Sequence, residues 1–357
     1  MGSVVIVVNS ILNSGGTERA VVNLANNLYS NGYEVTILSV FSKGGKPFFD
    51  LSGKVSIRHL GLILYKSYLK RLRSYVSLYR HLKELSVTEV TVIGTVHSIN
   101  IFLGFLKHRS SSFTAIGCEH LDYYAATRIT RIIRKISYRK LNHVVVLTSI
   151  DKMSYRREDA LDNVVVIPNE LSFFKSYNYN ETSIHLLAIG RLCYQKGFDI
   201  LLEVVRSVLD QNPAWILRIV GEGEDEAFLK SMIAVYKLDK QVQIIPFQKN
   251  VELLYENSAI YLMTSRYEGL PMVLLEALVS GLPIIAFDCP TGPKELVLTG
   301  KNGYLIPMGD NESFAKKLTE LINDLEMRKQ LSRGAYEEAL KYRSDIIFKQ
   351  WNQLLAN

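Results

Sequence analysis

Twice along this chain, strand-sized apolar runs alternate with segments whose apolar residues recur at helical spacing. A strand, a helix and a second strand in that order start a parallel sheet with helices on its faces. The first round opens with an apolar run at residues 4–8, a glycine-containing loop at 13–16 and a helix over 17–29. In that helix Val21, Leu24, Ala25 and Leu28 share one face. Asn31 and Gly32 end it, and residues 35–40 form the next strand. Further strands are expected at 90–93, 113–117 and 143–147. The pattern restarts with strands at 184–189, 215–220, 243–245, 260–263 and 283–286. Helices at 197–210, 225–236, 251–257 and 271–280 separate them, and helical stretches at 312–325, 327–342 and about 345–355 follow.

The fold class is therefore α/β, with two doubly wound domains facing across a cleft. The expected boundaries are 1–169, an aperiodic linker at 170–183, a second domain at 184–342, and a helix at 343–357 packing back on the first domain. In such sheets ligands sit at the carboxyl ends of the strands, so two facing domains make one cleft.

No apolar run approaches the roughly 20 residues of a membrane-spanning helix. The chain starts directly with a strand, so no secretory leader is expected. Cys118, Cys193 and Cys289 are far apart and odd in number, which suits free thiols in a reducing cytoplasm. Residues 1–160 carry 22 Lys and Arg against 10 Asp and Glu, while residues 161–357 carry 20 against 25, so the net +7 splits into +12 and −5. The basic first half reads as a surface for something anionic: a membrane, a phosphorylated substrate or nucleic acid.

Three clusters suit an anionic ligand. Gly15 and Gly16 lie between a strand and a helix, where bare backbone either approaches a phosphate or simply makes a tight turn. The spacing is not the dinucleotide fingerprint. Gly190-Arg191-Leu192 with Lys196-Gly197 follows the strand at 184–189, and its two cations either grip a diphosphate or are solvated loop charges. Arg266-Tyr267-Glu268-Gly269-Leu270-Pro271 runs into an apolar helix containing Glu276. Pro271 suits a first helical turn, and Gly269 lets a ligand reach the free amides there. Glu276 among leucines needs a partner, which could equally be a structural salt bridge.

Glu268 and Glu276 form the E-x7-E pattern, and the chain resembles the retaining glycosyltransferase family 4, which has the GT-B fold. The resemblance covers nearly the whole chain. Asn13 to Arg19 looks like the family's N-terminal glycine-rich loop, and Gly190 to Phe198 like its diphosphate clamp. Val220-Gly221-Glu222-Gly223 looks like the turn after the next strand, and Gly292-Pro293-Lys294-Glu295 like the loop after the donor motif. Cys193-Tyr194-Gln195 departs from the pattern as filler between the two cations.

The resemblance implies that Glu268 binds hydroxyls of the transferred sugar and Glu276 those of the ribose. Arg191 and Lys196 would neutralise the leaving diphosphate, with Gly190 and Gly221 beside them. Amides at Gly269, Leu270 and Met272 would hold sugar and phosphate, and the loop near Phe247 would seat the base. Gly15 and Gly16 would approach the diphosphate from the first domain, and His120 would touch the donor sugar, with His97 as a second candidate. It also implies retention through a short-lived ion pair, with the diphosphate taking the acceptor's proton. Neither a cofactor nor a metal is expected, since Arg191 and Lys196 can do a metal's electrostatic work. UDP is the expected nucleotide and GDP the other candidate.

Two basic stretches of the first half remain. Residues 66–83 carry Lys66, Lys70, Arg71, Arg73, Arg80 and Lys83 among tyrosines and leucines. In 128–140, Arg128, Arg131, Lys135 and Arg139 share a face, and Ile129, Ile132, Ile133 and Ile136 supply apolar surface, up to Lys140. They suit either an anionic membrane or a solvated charged face over an ordinary core. The resemblance then implies a peripheral enzyme on the inner face of the plasma membrane, extending a lipid-diphosphate-linked glycan. Rival readings are an epimerase or phosphorylase on the same fold, a nucleic-acid binder using the basic half, and an inactive partner subunit. No nucleic-acid motif accompanies the charge.

Overall fold

The computed structural model describes residues 2–63, 77–82, 90–107 and 113–356. The chain divides into two compact units, Met1–Glu170 with Ser344–Asn357, and Leu171–Arg343.

The first unit is built on β1 (Ser3–Val8), β2 (Glu34–Ser39), β3 (Ser56–His59), β4 (Val90–Gly94), β5 (Phe113–Glu119), β6 (His143–Val146) and β7 (Val164–Val166). All pair in parallel, in the order β3-β2-β1-β4-β5-β6-β7. Val5 of β1 lies between Thr36 and Val92. A central parallel strand is covered on both faces, which is why β1 is an unbroken run of valine and isoleucine. Helices α1 (Gly16–Ser30), α2 (His97–Lys107), α3 (Arg128–Tyr138) and α4 (Ser149–Asp159) provide that cover. The last helix of the chain, Ser344–Ala356, also belongs here: its Ile347, Trp351 and Leu354 join Val21, Ala25 and Leu28 in one core.

Helix α3 sits the opposite way round from an ordinary amphipathic helix. Arg134 is buried, its guanidinium 4.4 Å and 4.5 Å from the ring centres of Tyr123 and Tyr155. Arg131 lies over Tyr123 and Tyr124, while Lys135 and Arg139 donate to the carbonyls of Glu158 and Asp159. Ile129, Ile132 and Ile136 point outward at 66%, 63% and 56% exposure. Aromatic rings and carbonyls thus hold Arg131, Arg134, Lys135 and Arg139, while Arg128 and three isoleucines are exposed. The stretch 66–83 lies outside the described residues, apart from a helical piece at 77–82 in which Leu78 and Leu82 are buried. No helix among the described residues is long and apolar enough to cross a membrane.

The second unit has β8 (His185–Ile189), β9 (Ile216–Val220), β10 (Val242–Ile245), β11 (Ile260–Met263), β12 (Ile284–Asp288) and β13 (Gly303–Pro307). These run parallel in the order β10-β9-β8-β11-β12-β13. Its helices are α5 (Phe198–Gln211), α6 (Glu226–Val235), α7 (Glu252–Glu256), α8 (Met272–Val279), α9 (Gly292–Leu296), α10 (Asn311–Asn323) and α11 (Leu325–Ala339). Residues 171–183 pack along this unit, with the Tyr179 hydroxyl donating to Ala259 and Tyr177 bonded to Ser332. The core joins Phe198, Leu201 and Val205 of α5 to Leu217 and Ile219 of β9 and to Phe314 and Leu318 of α10.

The chain leaves the first unit at Glu170 and re-enters it at Ser344. Asn27 of α1 ties both points, its Nδ2 donating to the Glu170 carboxylate at 2.6 Å and to the Ser344 carbonyl at 3.0 Å. Burial pushes the Glu170 carboxyl up from 4.5 to about 7, against the pull of its bonds to Asn27 and Ser344. His120 lines the same small cavity, and burial lowers its imidazole to about 4, so it stays neutral over that range. Between pH 4.5 and 7 the folded chain keeps a proton that the unfolded chain has released, so this contribution is full below that window. It is lost as pH rises through 7, by about 3 kcal/mol in all. Glu170→Gln should raise the thermal midpoint relative to wild type at pH 8, and the gap should close near pH 5. Equal midpoints at both pH values would show that the native carboxyl titrates normally.

Candidate active site

In the second sheet the strand order runs one way from β8 through β9 and β10, and the other way from β11 through β12 and β13. Loops leaving the carboxyl ends of β8 and β11 therefore diverge and open a crevice, the usual ligand position in such sheets. Gly190, Arg191 and Lys196 lie on the loop after β8, and Glu268, Gly269 and Leu270 on the loop after β11. Gly221 follows β9 and Phe247 follows β10, while Met272 and Glu276 are in α8. One edge of one sheet thus carries ten of the residues singled out in the sequence.

Lys196 and Glu268 form its centre. The lysine Nζ is 2.6 Å from Glu268 Oε1, with the two side chains only 18% and 8% exposed. Gly190 makes room for the lysine stem, since a Cβ there would stand 3.1 Å from it. Gly197 turns the chain with φ +64 and packs on the Thr264 carbonyl, where a Cβ would come within 2.2 Å. Thr264 Oγ1 donates back to the Gly197 carbonyl at 2.8 Å, so the two loops are joined next to the ion pair. Arg191 is exposed on the same loop, and Phe247 is half-buried.

Glu276 is almost fully buried and accepts from the Tyr255 hydroxyl at 2.9 Å. Tyr255 stacks on Tyr261, whose hydroxyl meets the backbone of Ile189 at the end of β8. In α8 the first amides to bond back are those of Leu274 and Leu275, both to the Pro271 carbonyl. The amides of Met272 and Val273 precede those bonds and lie at the positive end of the helix dipole.

Further contacts shape this edge. Arg266 makes a two-pronged pair with Asp199 at 2.9 Å and 2.6 Å and lies 4.0 Å over the Tyr194 ring. Gln195 accepts from the Arg266 amide and donates to the Tyr267 carbonyl. The segment read as filler thus clamps the Glu268 loop onto the Lys196 loop. Thr291 Oγ1 donates to the Glu268 carbonyl at 2.8 Å. Gly221 and Gly223 are required by close backbone approach, because a Cβ would fall 1.9 Å from the Gly190 carbonyl oxygen or 2.2 Å from that of Leu192.

The first unit holds Gly15, Gly16 and His120. Gly15 precedes α1 and Gly16 is its first residue, while half-buried His120 directly follows β5. His97 is exposed at the start of α2. No group of three or more His, Cys, Asp or Glu that could hold a metal occurs among the described residues. Cys118 and Cys289 are buried free thiols and Cys193 is half-buried.

Residues 14–170 match the family described as Glycosyltransferase Family 4, and residues 169–338 that described as Glycosyl transferases group 1. The chain is 34% identical to the amylovoran biosynthesis glycosyltransferase AmsD of Erwinia amylovora, over 99% of this chain and 100% of that protein. It is 30% identical to a Campylobacter jejuni enzyme, over 97% of this chain and 96% of that one. That enzyme is named GalNAc-alpha-(1->4)-GalNAc-alpha-(1->3)-diNAcBac-PP-undecaprenol alpha-1,4-N-acetyl-D-galactosaminyltransferase. Among solved structures, S. aureus TarM in a complex that includes UDP superposes with a TM-score of 0.85 at 16% identity, covering 100% of both chains. Two wholly parallel sheets of this order, and relatives matched from end to end, place the chain in a family: it belongs to the group 1 and family 4 glycosyltransferases and has their GT-B fold.

Proposed function

We propose that this enzyme moves a hexose or N-acetylhexosamine from a UDP-sugar to a hydroxyl of a glycan carried on a lipid diphosphate, with retention at the anomeric carbon and without a metal ion. The observation that supports this most is the sheltered Lys196–Glu268 pair beside the open amides of α8. A diphosphate competes for Lys196, and sugar hydroxyls compete for Glu268. Glu276, held by Tyr255, takes the ribose hydroxyls, and exposed Arg191 closes on the diphosphate. Gly190 and Gly221 leave the floor of the site flat, the amides of Gly269, Leu270 and Met272 face sugar and phosphate, and Phe247 lies beside the base.

In the transfer step the bond between the anomeric carbon and the diphosphate oxygen breaks as the acceptor oxygen attacks from the same side. The departing phosphate oxygen takes the acceptor's proton. Negative charge grows on the diphosphate, so Lys196, Arg191 and the α8 amides stabilise the transition state more than the ground state. Glu268 positions the sugar and forms no covalent bond.

Purified protein titrated with UDP, GDP and ADP should select UDP without magnesium. Lys196→Ala and Glu268→Ala should lower kcat by about 10²–10³. Glu276→Ala should weaken UDP binding about tenfold, and Tyr255→Phe a few-fold. Failure to bind any nucleotide, or release of free UDP with no acceptor present, would sink the transferase reading.

The acceptor reading draws on the Campylobacter relative's name and on α3. Its three exposed isoleucines, with Arg128, Arg139 and Lys140 exposed beside them, suit the headgroup region of an anionic bilayer. The enzyme would then work peripherally on the cytoplasmic leaflet. Flotation with vesicles containing an anionic lipid should bring the protein up, and replacing Ile129, Ile132 and Ile136 by Ser should leave it at the bottom. Equal flotation of both proteins would remove α3 from the membrane reading.

A further inference from the structure

Thr291 has a conformation that its side chain disfavours. Its φ is +75 and its ψ −91, and it is one of three non-glycine residues with positive φ among those described. For a β-branched residue this region is strained, and it persists only where the surroundings over-determine it.

Two neighbours do so, and both act on the same short piece of chain. The buried Thr291 hydroxyl donates to the Glu268 carbonyl at 2.8 Å. The next residue, Gly292, presses so closely on the Gly269 carbonyl oxygen that a Cβ would fall 1.6 Å from it. The loop after β12 thus grips two consecutive carbonyls, those of Glu268 and Gly269. Pro293, the second residue of α9, stiffens the loop behind them. Cys289, on the same loop, is buried near both charges: desolvation and the Glu268 carboxylate push its thiol up to about 12, while Lys196 pulls it down.

We infer that Thr291 is a positioning residue for transfer: its hydroxyl fixes the Glu268–Gly269 peptide, and so sets where the Glu268 carboxylate and the Gly269 amide meet the donor sugar. This rests on the donor-site reading above. Strain is retained because relaxing the loop would let that peptide turn. The effect falls on the sugar side of the site, since the Tyr255–Glu276 bond is made by different elements.

The test uses the full chain with Thr291→Val, which keeps the branched shape and loses the donor, and Thr291→Ser, which keeps the donor. Thermal midpoint, UDP affinity and kcat are measured for each. The expected result is a drop in kcat of about tenfold for Thr291→Val, with UDP affinity within about twofold of wild type, and near-complete rescue in Thr291→Ser. Should Thr291→Val fail to fold, Thr291→Gly removes the same donor without demanding the strained conformation, and the same loss of kcat is expected. Full turnover in the donor-less variants, or parallel loss of turnover and UDP binding in them, would overturn the inference and leave the transferase reading standing. So would a serine variant as slow as the valine one. A wild-type protein that transfers no sugar takes down both.

Discussion

Parallel pairing is the constraint from which the rest of this molecule follows. A parallel strand can be reached only by a crossover, so each sheet is wrapped in helices and every strand ends at the same edge. Reversal of the strand order at β8 and β11 then leaves a crevice at that edge, with loops converging on it from five strands. Chemistry separated by 72 positions in the chain, such as Lys196 and Glu268, meets there because the topology leaves those loops no other place. Glycines at 197, 221, 223 and 292 let the loops pack backbone against backbone, which fixes their spacing.

The two units treat buried charge differently. In the second, the Lys196–Glu268 pair is close, direct and at the carboxyl edge of the sheet. Losing one partner outright would strand the other at a cost of about 3–5 kcal/mol. In the first, Arg134 is caged by Tyr123 and Tyr155, with a long ion pair to Asp159 at 4.0 Å and Glu119 acting on it through space. That charge serves packing: it fastens α3 to the body of the unit and turns the helix's isoleucines outward.

Much of this was legible beforehand, for identifiable reasons. Central strands such as β1, β8 and β11 are buried on both faces and read as continuous apolar runs. β3 and β13 did not stand out, since a short edge strand with one wet face has no such run, and β7 is a run of only three valines before the segment that closes the first half. The orientation of α3 was also hidden, because spacing shows which residues share a face but not which face finds a tyrosine cage. At the site, glycines and charges followed by a helix start gave a readable pattern. Asp199, Gln195, Tyr255 and Thr291 gave none: they act through bonds to residues distant in the chain, from 21 positions for Tyr255 and Glu276 to 72 for Gln195 and Tyr267.

The return of the last helix to the first unit has a bearing on how the chain is made. Ile347, Trp351 and Leu354 fill part of the core that β1 and α1 begin, so the whole of the second unit is, in effect, an insertion into the first. On a ribosome, the stretch from Leu171 to Arg343 emerges as one continuous piece and can close its core at once. The first unit begins earlier and finishes later, waiting with one flank of its sheet uncovered until residues beyond 344 arrive. The half of the molecule that is synthesised first is therefore the half that is completed last.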